Sequence, residues 1–455
     1  MTKYWPVYFV LSLGVGFSVA EAPAQTLEEA LAAAYLNNPT LAAERSSLRQ
    51  TDEGVNQAVA NWRPTVSFSA NYGRSAVKSF TTHTTARSQH RKPGSVALTV
   101  DQTLFRGFRT ESETAEAEFS VMGDRARLAD TEQTVLLDAV SAYVNVVRDQ
   151  AVLKLNINNE QVLKRQLEAT RDRFEVGEIT RTDVHQAESR WVGATADRIQ
   201  AEGNLENSRA AFVNVVGASP EDLKSTPPNV ALPGGLEEAI QISFASNPNV
   251  TAAEYDEKVS REAVKQVRGE LYPSVNLTGS ASKNWDAGGE GTISQTFATA
   301  IELTVPIYQQ GAVYSRLREA KQATAEDRMQ IDQARRDAIE DTTRAWETLK
   351  TAVARIKSFN SQVNAATIAL EGVEKEAAVG SRTVLDVLDA EQELLDAKVN
   401  LVRAQRDHIV AIFELRAAIG QMTARHLELP VTFYEPNAHY NEVRDRWFGG
   451  SSSGQ

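Results

Sequence analysis

Two carboxylates three residues apart follow a Val-Gly pair in the second half of the chain. The segment from Val379 to Glu391 reads Val-Gly-Ser-Arg-Thr-Val-Leu-Asp-Val-Leu-Asp-Ala-Glu, and its acids are Asp386 and Asp389. Residues three apart on a helix share a face, so both carboxylates would project from one side. Thr383 and Asp386 also match the capping-box pattern that begins many helices. Asp386 is therefore a candidate helix cap as well as a candidate functional acid.

The same pattern occurs earlier in the chain, where the segment 176–188 reads Val-Gly-Glu-Ile-Thr-Arg-Thr-Asp-Val-His-Gln-Ala-Glu. Gly177, Thr180 and Asp183 take the places of Gly380, Thr383 and Asp386, at a constant offset of 203 residues. Each Val-Gly pair interrupts a long helical pattern. We interpret the two segments as the tips of helical hairpins, and the later one as a gate.

The prolines show where long helices are possible. None lies in 94–219 or 307–429, and a proline inside a helix breaks it. These windows predict long helices at 107–176 and 311–379, with return helices at 180–218 and 383–420. From Leu349 to Ala377, apolar residues alternate in steps of 3 and 4. Such a seam is typical of helix-on-helix packing.

Apolar and polar residues alternate in short segments between the helices, which predicts strands at 64–80, 93–106, 273–287 and 292–308. Segments of about 10 residues with one apolar face suit a membrane barrel, but they also suit an ordinary half-buried antiparallel sheet. Four strands are too few to close a membrane barrel, whose smallest form has about 8. If the strands enter a membrane, several chains must share one barrel, because lipid tolerates no open sheet edge.

The segment from Gly73 to Ser95 is polar and is predicted to be an exposed loop. His83 and His90 lie in it without the spacing or the supporting partners of metal ligands. No metal site and no cofactor is predicted.

The order of these elements repeats, which indicates an internal duplication. The first repeat spans 25–218, with opening helices at 26–62, and the second spans 236–420, with opening helices at 236–271. A proline-rich linker at 219–235 joins them. Residues 421–455 form a C-terminal periplasmic tail, which is predicted to be a flexible end from Pro430 onward.

The first residues have the pattern of an export signal. An apolar stretch precedes Ala22-Pro23-Ala24, which predicts a signal peptide at 1–24 that is cleaved after Ala24. A short N-terminal anchor is the alternative. The chain has no cysteine, which excludes a disulfide scaffold, cysteine-based metal sites and a lipid-modified cysteine. The net charge of -12 argues against nucleic acid as a partner.

The twin tips, the repeated Leu-Glu-Glu-Ala openings at 27–30 and 236–239, and the endings at Gly217 and Gly420 resemble the TolC family of outer-membrane channel-tunnel proteins. The resemblance covers about Thr26 to Leu429. It implies an all-α plus membrane-β fold, in which a long α-helical barrel of coiled-coil hairpins continues a 12-stranded transmembrane β-barrel. A homotrimer shares that barrel, with four strands from each chain.

The resemblance also implies a location and partners. The barrel lies in outer-membrane lipid and the helices cross the periplasm. The protein is expected to be a passive exit duct for drugs, toxic compounds or secreted polypeptide. It receives them from a periplasmic adaptor and an inner-membrane exporter of the RND or ABC type. The sequence contains no catalytic constellation, so no enzymatic activity is predicted. The competing hypothesis is a periplasmic coiled-coil structural or adaptor protein that forms no pore.

In the family, the tips close the periplasmic end like an iris. The resemblance places Asp386 and Asp389 at the aperture, where two stacked rings of carboxylates would favour cations. Arg382 corresponds to an arginine that ties one coil to its neighbour, with Thr182 and Asp183 as partners. A solvated surface arginine is the alternative role of Arg382. A tyrosine of the family is replaced by Ala377.

Overall fold

The computed structural model describes residues 26–81, 84–220, 223 and 231–451. The predicted signal peptide and much of the predicted linker lie outside these residues, as does His83. No helix in the described part of the chain is long and apolar enough to cross a membrane.

The helices follow the same order in the two halves. The first half contains α1 (Leu27–Asn37), α2 (Pro39–Ala60), α3 (Arg109–Glu175) and α4 (Arg181–Val216). The second half contains α5 (Leu236–Ser246), α6 (Pro248–Gly269), α7 (Ala312–Ala378) and α8 (Val384–Ala418), and a short α9 (Pro436–Val443) follows. The long helices α3 and α7 each have 67 residues, which corresponds to a length of about 100 Å.

The repeated Asn-Pro pairs begin α2 and α6 in the same way. The side chain of Asn38 accepts hydrogen bonds from the first backbone N–H groups of α2, and Asn247 does the same for α6. The proline takes the first helical position, where its missing N–H has no cost. Each pair therefore ends one short helix and starts the next.

The apolar seam of α7 faces the neighbouring helices, as its spacing predicts. Leu349, Ala352, Ala366 and Leu370 are buried, and the other members of the seam are at least half-buried. In the same helix, residues away from the seam are largely exposed. The seam packs α7 against α8, and α3 packs against α4 in the corresponding hairpin.

In the described part of the chain, six strands connect these helices. They are β1 (Thr65–Tyr72), β2 (Ser75–Thr81), β3 (Thr84–Arg91), β4 (Gly94–Phe105), β5 (Ser274–Trp285) and β6 (Ile293–Thr304). An antiparallel sheet has the order β1-β4-β5-β6. β2 and β3 pair in a separate two-stranded sheet.

The four-stranded sheet has one apolar and one polar face. The register places Phe68 beside Leu98, Leu98 beside Ala281 and Ala281 beside Phe297. One residue along, Ser67 lies beside Thr99, Thr99 beside Ser280 and Ser280 beside Ala298. Alternate residues of a strand point to opposite faces, so the apolar side chains of all four strands share one face.

The prediction of an exposed loop at 73–95 was wrong for the backbone, because β2 and β3 form a hairpin there. The polar composition of this segment does not exclude strands, because a hairpin satisfies its backbone groups through its own ladder of hydrogen bonds. Such a hairpin requires no apolar face, so alternation of apolar and polar residues does not reveal its strands.

The helices that enter and leave the sheet lie side by side in the order of its strands. α2 packs on α3, α3 on α6 and α6 on α7, and these helices connect to β1, β4, β5 and β6 in turn. The helical layer is therefore a continuation of the sheet, and its long hairpins end in the two tips.

The C-terminal segment up to Ser451 is folded, so the prediction of a flexible tail was wrong for this part. Met422, Leu429 and Val443 are buried against the first half of the chain. The side chain of Gln133 accepts a hydrogen bond from the Met422 N–H at 3.2 Å. His439 lies 3.0 Å from the carboxylate of Asp52, which is fully buried. These anchors are isolated residues with no periodic pattern, so the sequence gives little sign of them.

Candidate gate at the hairpin tips

Each tip begins where a glycine ends a long helix. Gly177 has a φ of 82° and Gly380 a φ of 79°, a left-handed conformation that is unfavourable for residues with a Cβ. The N–H of Glu178 donates to the Arg173 carbonyl, and the N–H of Ser381 donates to the Glu376 carbonyl, both at 3.0 Å. This Schellman arrangement satisfies carbonyls at the end of α3 and of α7.

The capping boxes that the sequence predicts are present at both tips. The hydroxyl of Thr180 accepts from the Asp183 N–H, and the Asp183 carboxylate accepts from the Thr180 N–H at 2.9 Å. The same pair of bonds joins Thr383 and Asp386, with the Thr383 N–H 2.8 Å from the carboxylate. Both acids therefore begin a return helix, α4 or α8.

The capping bonds also fix the charge of Asp386. Hydrogen bonds from the backbone N–H and the hydroxyl of Thr383 lower the pKa of Asp386 below its ordinary value of 3.8. These bonds favour the ionised form, so the carboxylate is negatively charged at neutral pH. The cap and a charged aperture are compatible roles for this residue.

Arg382 forms its contacts on its own hairpin. Its Nε lies 2.9 Å from the carboxylate of Glu376, and one terminal nitrogen lies 4.0 Å from Asp386. Thr182 is exposed in the first turn of α4, and Asp183 is bonded to Thr180. The predicted pairing of Arg382 with Asp183 is not among these contacts and stays a prediction.

Asp389 is joined to the other hairpin. Its carboxylate accepts a hydrogen bond from Arg190 of α4 at 2.5 Å, and both side chains are partly exposed. No sequence pattern indicated Arg190, because its partner Asp389 is 199 residues away. One sign of a special role for Asp389 was present in the sequence, because the first repeat has Gln186 at the equivalent position.

An apolar contact accompanies this ion pair. Leu388 of α8 is only 1% exposed and belongs to a cluster in the first hairpin, with Leu163, Leu167, Ala187 and Ala194. Thus the beginning of α8 packs on the first hairpin through Leu388, and the Arg190–Asp389 pair lies beside that contact. Ala377 packs on a different cluster within the second hairpin.

Apolar side chains are exposed at the extreme end of both hairpins. Val176 is 73% exposed and Val379 is 81% exposed, and each precedes the glycine of its tip. The tips therefore combine exposed valines with charged residues that are held by ion pairs and caps.

Comparison with known proteins agrees with this architecture. The model of the family "Outer membrane efflux protein" matches residues 30–218 and 239–421, which correspond to the two repeats. The outer membrane efflux protein BepC of Brucella suis biovar 1 (strain 1330) is 34% identical, over 97% of this chain and 95% of the relative. The outer membrane protein TolC of Escherichia coli (strain K12) is 25% identical, over 94% and 88%.

Solved structures show the same fold. The crystal structure of CusC superposes with a TM-score of 0.77 at 16% identity, covering 87% of this chain and 92% of that one. The family match spans most of the chain and occurs once in each repeat. Long hairpins, a four-stranded sheet and an internal duplication are the features that the chain shares with these channel-tunnels. The chain belongs to the outer membrane efflux protein family.

Proposed function

We propose that three copies of this chain form one exit duct through the outer membrane and the periplasm. Each copy contributes β1, β4, β5 and β6 to a 12-stranded barrel, with its long hairpins forming a tube below. The duct is passive, and an inner-membrane exporter of the RND or ABC type drives export through a periplasmic adaptor. The family consists of outer-membrane channels and not of enzymes, in agreement with this passive role.

The exposed apolar face of the sheet carries the proposal. Phe297 is 81% exposed and Phe68 is 70% exposed, on the face where the register collects the apolar side chains. Contiguous apolar surface of this kind marks a membrane or protein contact. A face of strands about 10 residues long matches the thickness of a membrane.

The open edges of the sheet support several chains in one barrel. Among the described residues, β1 pairs only with β4 and β6 pairs only with β5. Each outer edge thus has unpaired N–H and C=O groups, which are too costly to leave in lipid. Pairing β6 of one chain with β1 of the next removes both edges when the ring closes.

The tips support a gate and an adaptor contact. Val176 and Val379 offer exposed apolar surface at the end that lies farthest from the sheet. An adaptor that covers these valines and displaces the second tip would open the aperture. In this proposal, Asp386 and Asp389 line the aperture, and the contacts of Arg382 and Arg190 hold the second tip in place.

Cysteine crosslinking tests the shared barrel directly, because the chain has no native cysteine. Ser69→Cys in β1 would be combined in turn with Ala298→Cys and Ala300→Cys in β6, which face the same side of the sheet. Oxidation of outer-membrane fractions should give covalent dimers and trimers on a non-reducing gel for at least one combination. The register between chains selects which combination reacts.

Ala97→Cys with Ala300→Cys is the matched control. Ala97 lies in β4 between β1 and β5, so it has no free edge and should give no crosslink between chains. Crosslinked dimers without trimers, or no crosslink in any register, would contradict the shared barrel. A periplasmic structural protein without a pore, the competing hypothesis, predicts that outcome and predicts no channel conductance.

A further inference from the structure

A cleft lined by arginines lies where the sheet meets the helices. It has a volume of about 620 Å³ and is enclosed by the ends of β4, α6 and β6 and the beginnings of α3, β5 and α7. Its lining includes Arg106, Arg109 and Arg316, and Glu270 is the single acid among the described residues that line it. The cleft therefore has an excess of positive charge, although the whole chain has a net charge of -12.

The cleft opens on the polar face of the sheet. Thr103 and Asn276 line it and lie side by side in the register, and Ser274 and Thr304 form the next pair. All four belong to the face opposite the apolar one. In the proposed duct the apolar face contacts lipid, so the cleft lies in the inner wall, just below the barrel.

Two of the three arginines have acidic partners. The guanidinium of Arg106 lies 3.0 Å from the carboxylate of Glu113. Arg316 of α7 forms a two-pronged pair with Glu270, with one of its bonds at 3.0 Å. These two side chains shape the cleft and have little free charge.

Arg109 is the exception. Its Nε is buried and has no hydrogen-bond partner among the described residues, and the same holds for the Nε2 of Gln309, which also lines the cleft. Both groups donate hydrogen bonds and neither accepts them through that nitrogen. Leaving a buried donor unpaired costs free energy, so two such donors in one cleft point to an acceptor.

The absence of a side chain at Gly269 makes room for Arg109 at the end of α6. A Cβ on Gly269 would lie 2.5 Å from the Arg109 Cγ and 2.5 Å from the Gly107 carbonyl oxygen. Only glycine therefore allows the Arg109 side chain to cross the end of α6. The glycine thus leaves the space that the Arg109 side chain occupies beside the cleft.

The helix ends add to the positive potential. α3 and α7 both begin at the cleft, and neither has a side-chain cap at its N-terminus. The N-terminal end of a helix carries partial positive charge. Two helix ends and an unpaired guanidinium thus converge on the same space.

Comparison of the repeats shows which position of the repeat supplies Arg316. Asn61 donates to Glu113 in the first repeat, whereas Glu270 pairs with Arg316 at the equivalent positions of the second. An arginine in the second repeat therefore stands where the first has a glutamate, and it faces the cleft.

We propose that this cleft is an anion-binding subsite in the inner wall of the duct, with Arg109 as its principal ligand. It takes phosphate, sulfonate or carboxylate groups of cargo, because such oxyanions match both the planar donors of arginine and the helix ends. The inference rests on the proposed duct, which places the cleft in contact with cargo. Three copies would surround the passage at one level.

Inorganic pyrophosphate is the probe for the test. The full-length protein is reconstituted in planar bilayers, and the pyrophosphate concentration that halves the current is measured. Arg109→Gln should raise that concentration by about tenfold, which corresponds to about 1.4 kcal/mol of lost binding. Block of the unaltered channel should also weaken as KCl is raised, because salt screens the attraction.

Arg335→Gln is the charge-matched control, because Arg335 pairs with Glu254 at 2.8 Å on α6, away from the cleft. It should leave the blocking concentration unchanged. Arg109→Lys keeps the charge but loses the planar donors, so it should fall between the unaltered channel and Arg109→Gln. It also serves if Arg109→Gln fails to assemble.

Three results would overturn the anion subsite. These are a channel that conducts but ignores pyrophosphate, equal shifts in Arg109→Gln and Arg335→Gln, and Arg109 variants that lose trimer stability while block is unchanged. In the third case, a neighbouring chain supplies the acceptor. Failure of the unaltered protein to conduct at all would instead count against the proposed duct.

Discussion

The two hairpin tips have the same backbone but different attachments. Gly177 and Gly380 end their helices with the same positive φ, and Thr180 and Thr383 cap the next helix with the same bonds. The differences begin one turn later. The second tip inserts Leu388 into the other hairpin, whereas the equivalent His185 of the first tip is exposed and contacts Glu188.

The two tips show that the turn itself and the attachment of a tip to the other hairpin depend on different residues. The turn is local, so a copied sequence reproduces it wherever it occurs. The attachment depends on residues far apart in the chain, such as Arg190 and Asp389, and among the described residues Leu388 and Asp389 of the second tip make it. The second hairpin thus differs from the first in a few residues of its first helical turns, while the caps are the same at both tips.

The largest expected effect follows from removing the apolar attachment. Leu388→Ala deletes a fully buried side chain and should reduce the local free energy of unfolding by about 2–5 kcal/mol. Hydrogen–deuterium exchange of the amides in 384–394 would measure it as faster exchange. The equivalent change in the first tip, His185→Ala, should alter exchange there by less than about 0.5 kcal/mol, because the site is exposed.

Equal effects of Leu388→Ala and His185→Ala would contradict the proposed difference in attachment between the two tips. They would mean that the second tip gains nothing from the first hairpin. A larger effect at Leu388, with faster exchange also in 184–194, would support that difference, because the loosened cluster contains residues of both hairpins.

The next effect concerns the acids of the second tip. Asp386→Asn with Asp389→Asn keeps oxygen acceptors for the cap but removes the charge from the proposed aperture. Block of the reconstituted channel by a trivalent cation from the periplasmic side should weaken by at least about tenfold. Asp183→Asn, at the equivalent position of the first tip, should leave block unchanged.

The pH dependence of this block has a defined direction. Hydrogen bonds from Thr383 lower the pKa of Asp386 below 3.8, so the carboxylate is ionised between about pH 5 and pH 7 and takes up its proton only as the pH falls toward that lowered pKa. Block of the unaltered channel should therefore retain the Asp386 contribution between about pH 7 and pH 5.

A loss of block after Asp183→Asn would show that both tips line the aperture.

The sequence predicted the local features of the fold and missed the distant ones. Prolines, the apolar seam and strand alternation located the helices and most strands, because each depends on residues close in the chain. The tips were found for the same reason, because each Val-Gly pair interrupts a helical pattern locally. Arg190 was missed because an ion pair between hairpins leaves no periodic signal, and the folded tail was missed because its anchors are single residues such as Gln133.

A smaller and equal effect is expected at the two tip glycines. Gly177→Ala and Gly380→Ala should each cost about 1–2 kcal/mol, because the left-handed φ strains any residue with a Cβ. At neither position would the added Cβ have a neighbouring atom within 4 Å, so crowding adds nothing. Exchange at the ends of α3 and α7 measures both, and asparagine at the same positions should cost less than alanine.

The smallest effect in free energy should come from the exposed ion pair. Arg190→Gln removes the bond to Asp389, and a partly exposed pair of this kind contributes less than about 1 kcal/mol. Its functional effect should still be measurable, as a rise of up to about fivefold in the conductance of the closed channel. Arg171→Gln, which removes an exposed pair within the first hairpin, should leave conductance unchanged.

The exchanged pair Arg190→Asp with Asp389→Arg should restore the closed conductance if the bond between hairpins is what matters. Arg382→Ser extends the test to neighbouring chains, because its partners within the chain are on its own hairpin. If Arg382 ties neighbouring chains, its effect should add to that of Arg190→Gln, because the two bonds join different pairs of elements. An unchanged conductance after Arg382→Ser, with a rise after Arg190→Gln, would place the closure within each chain.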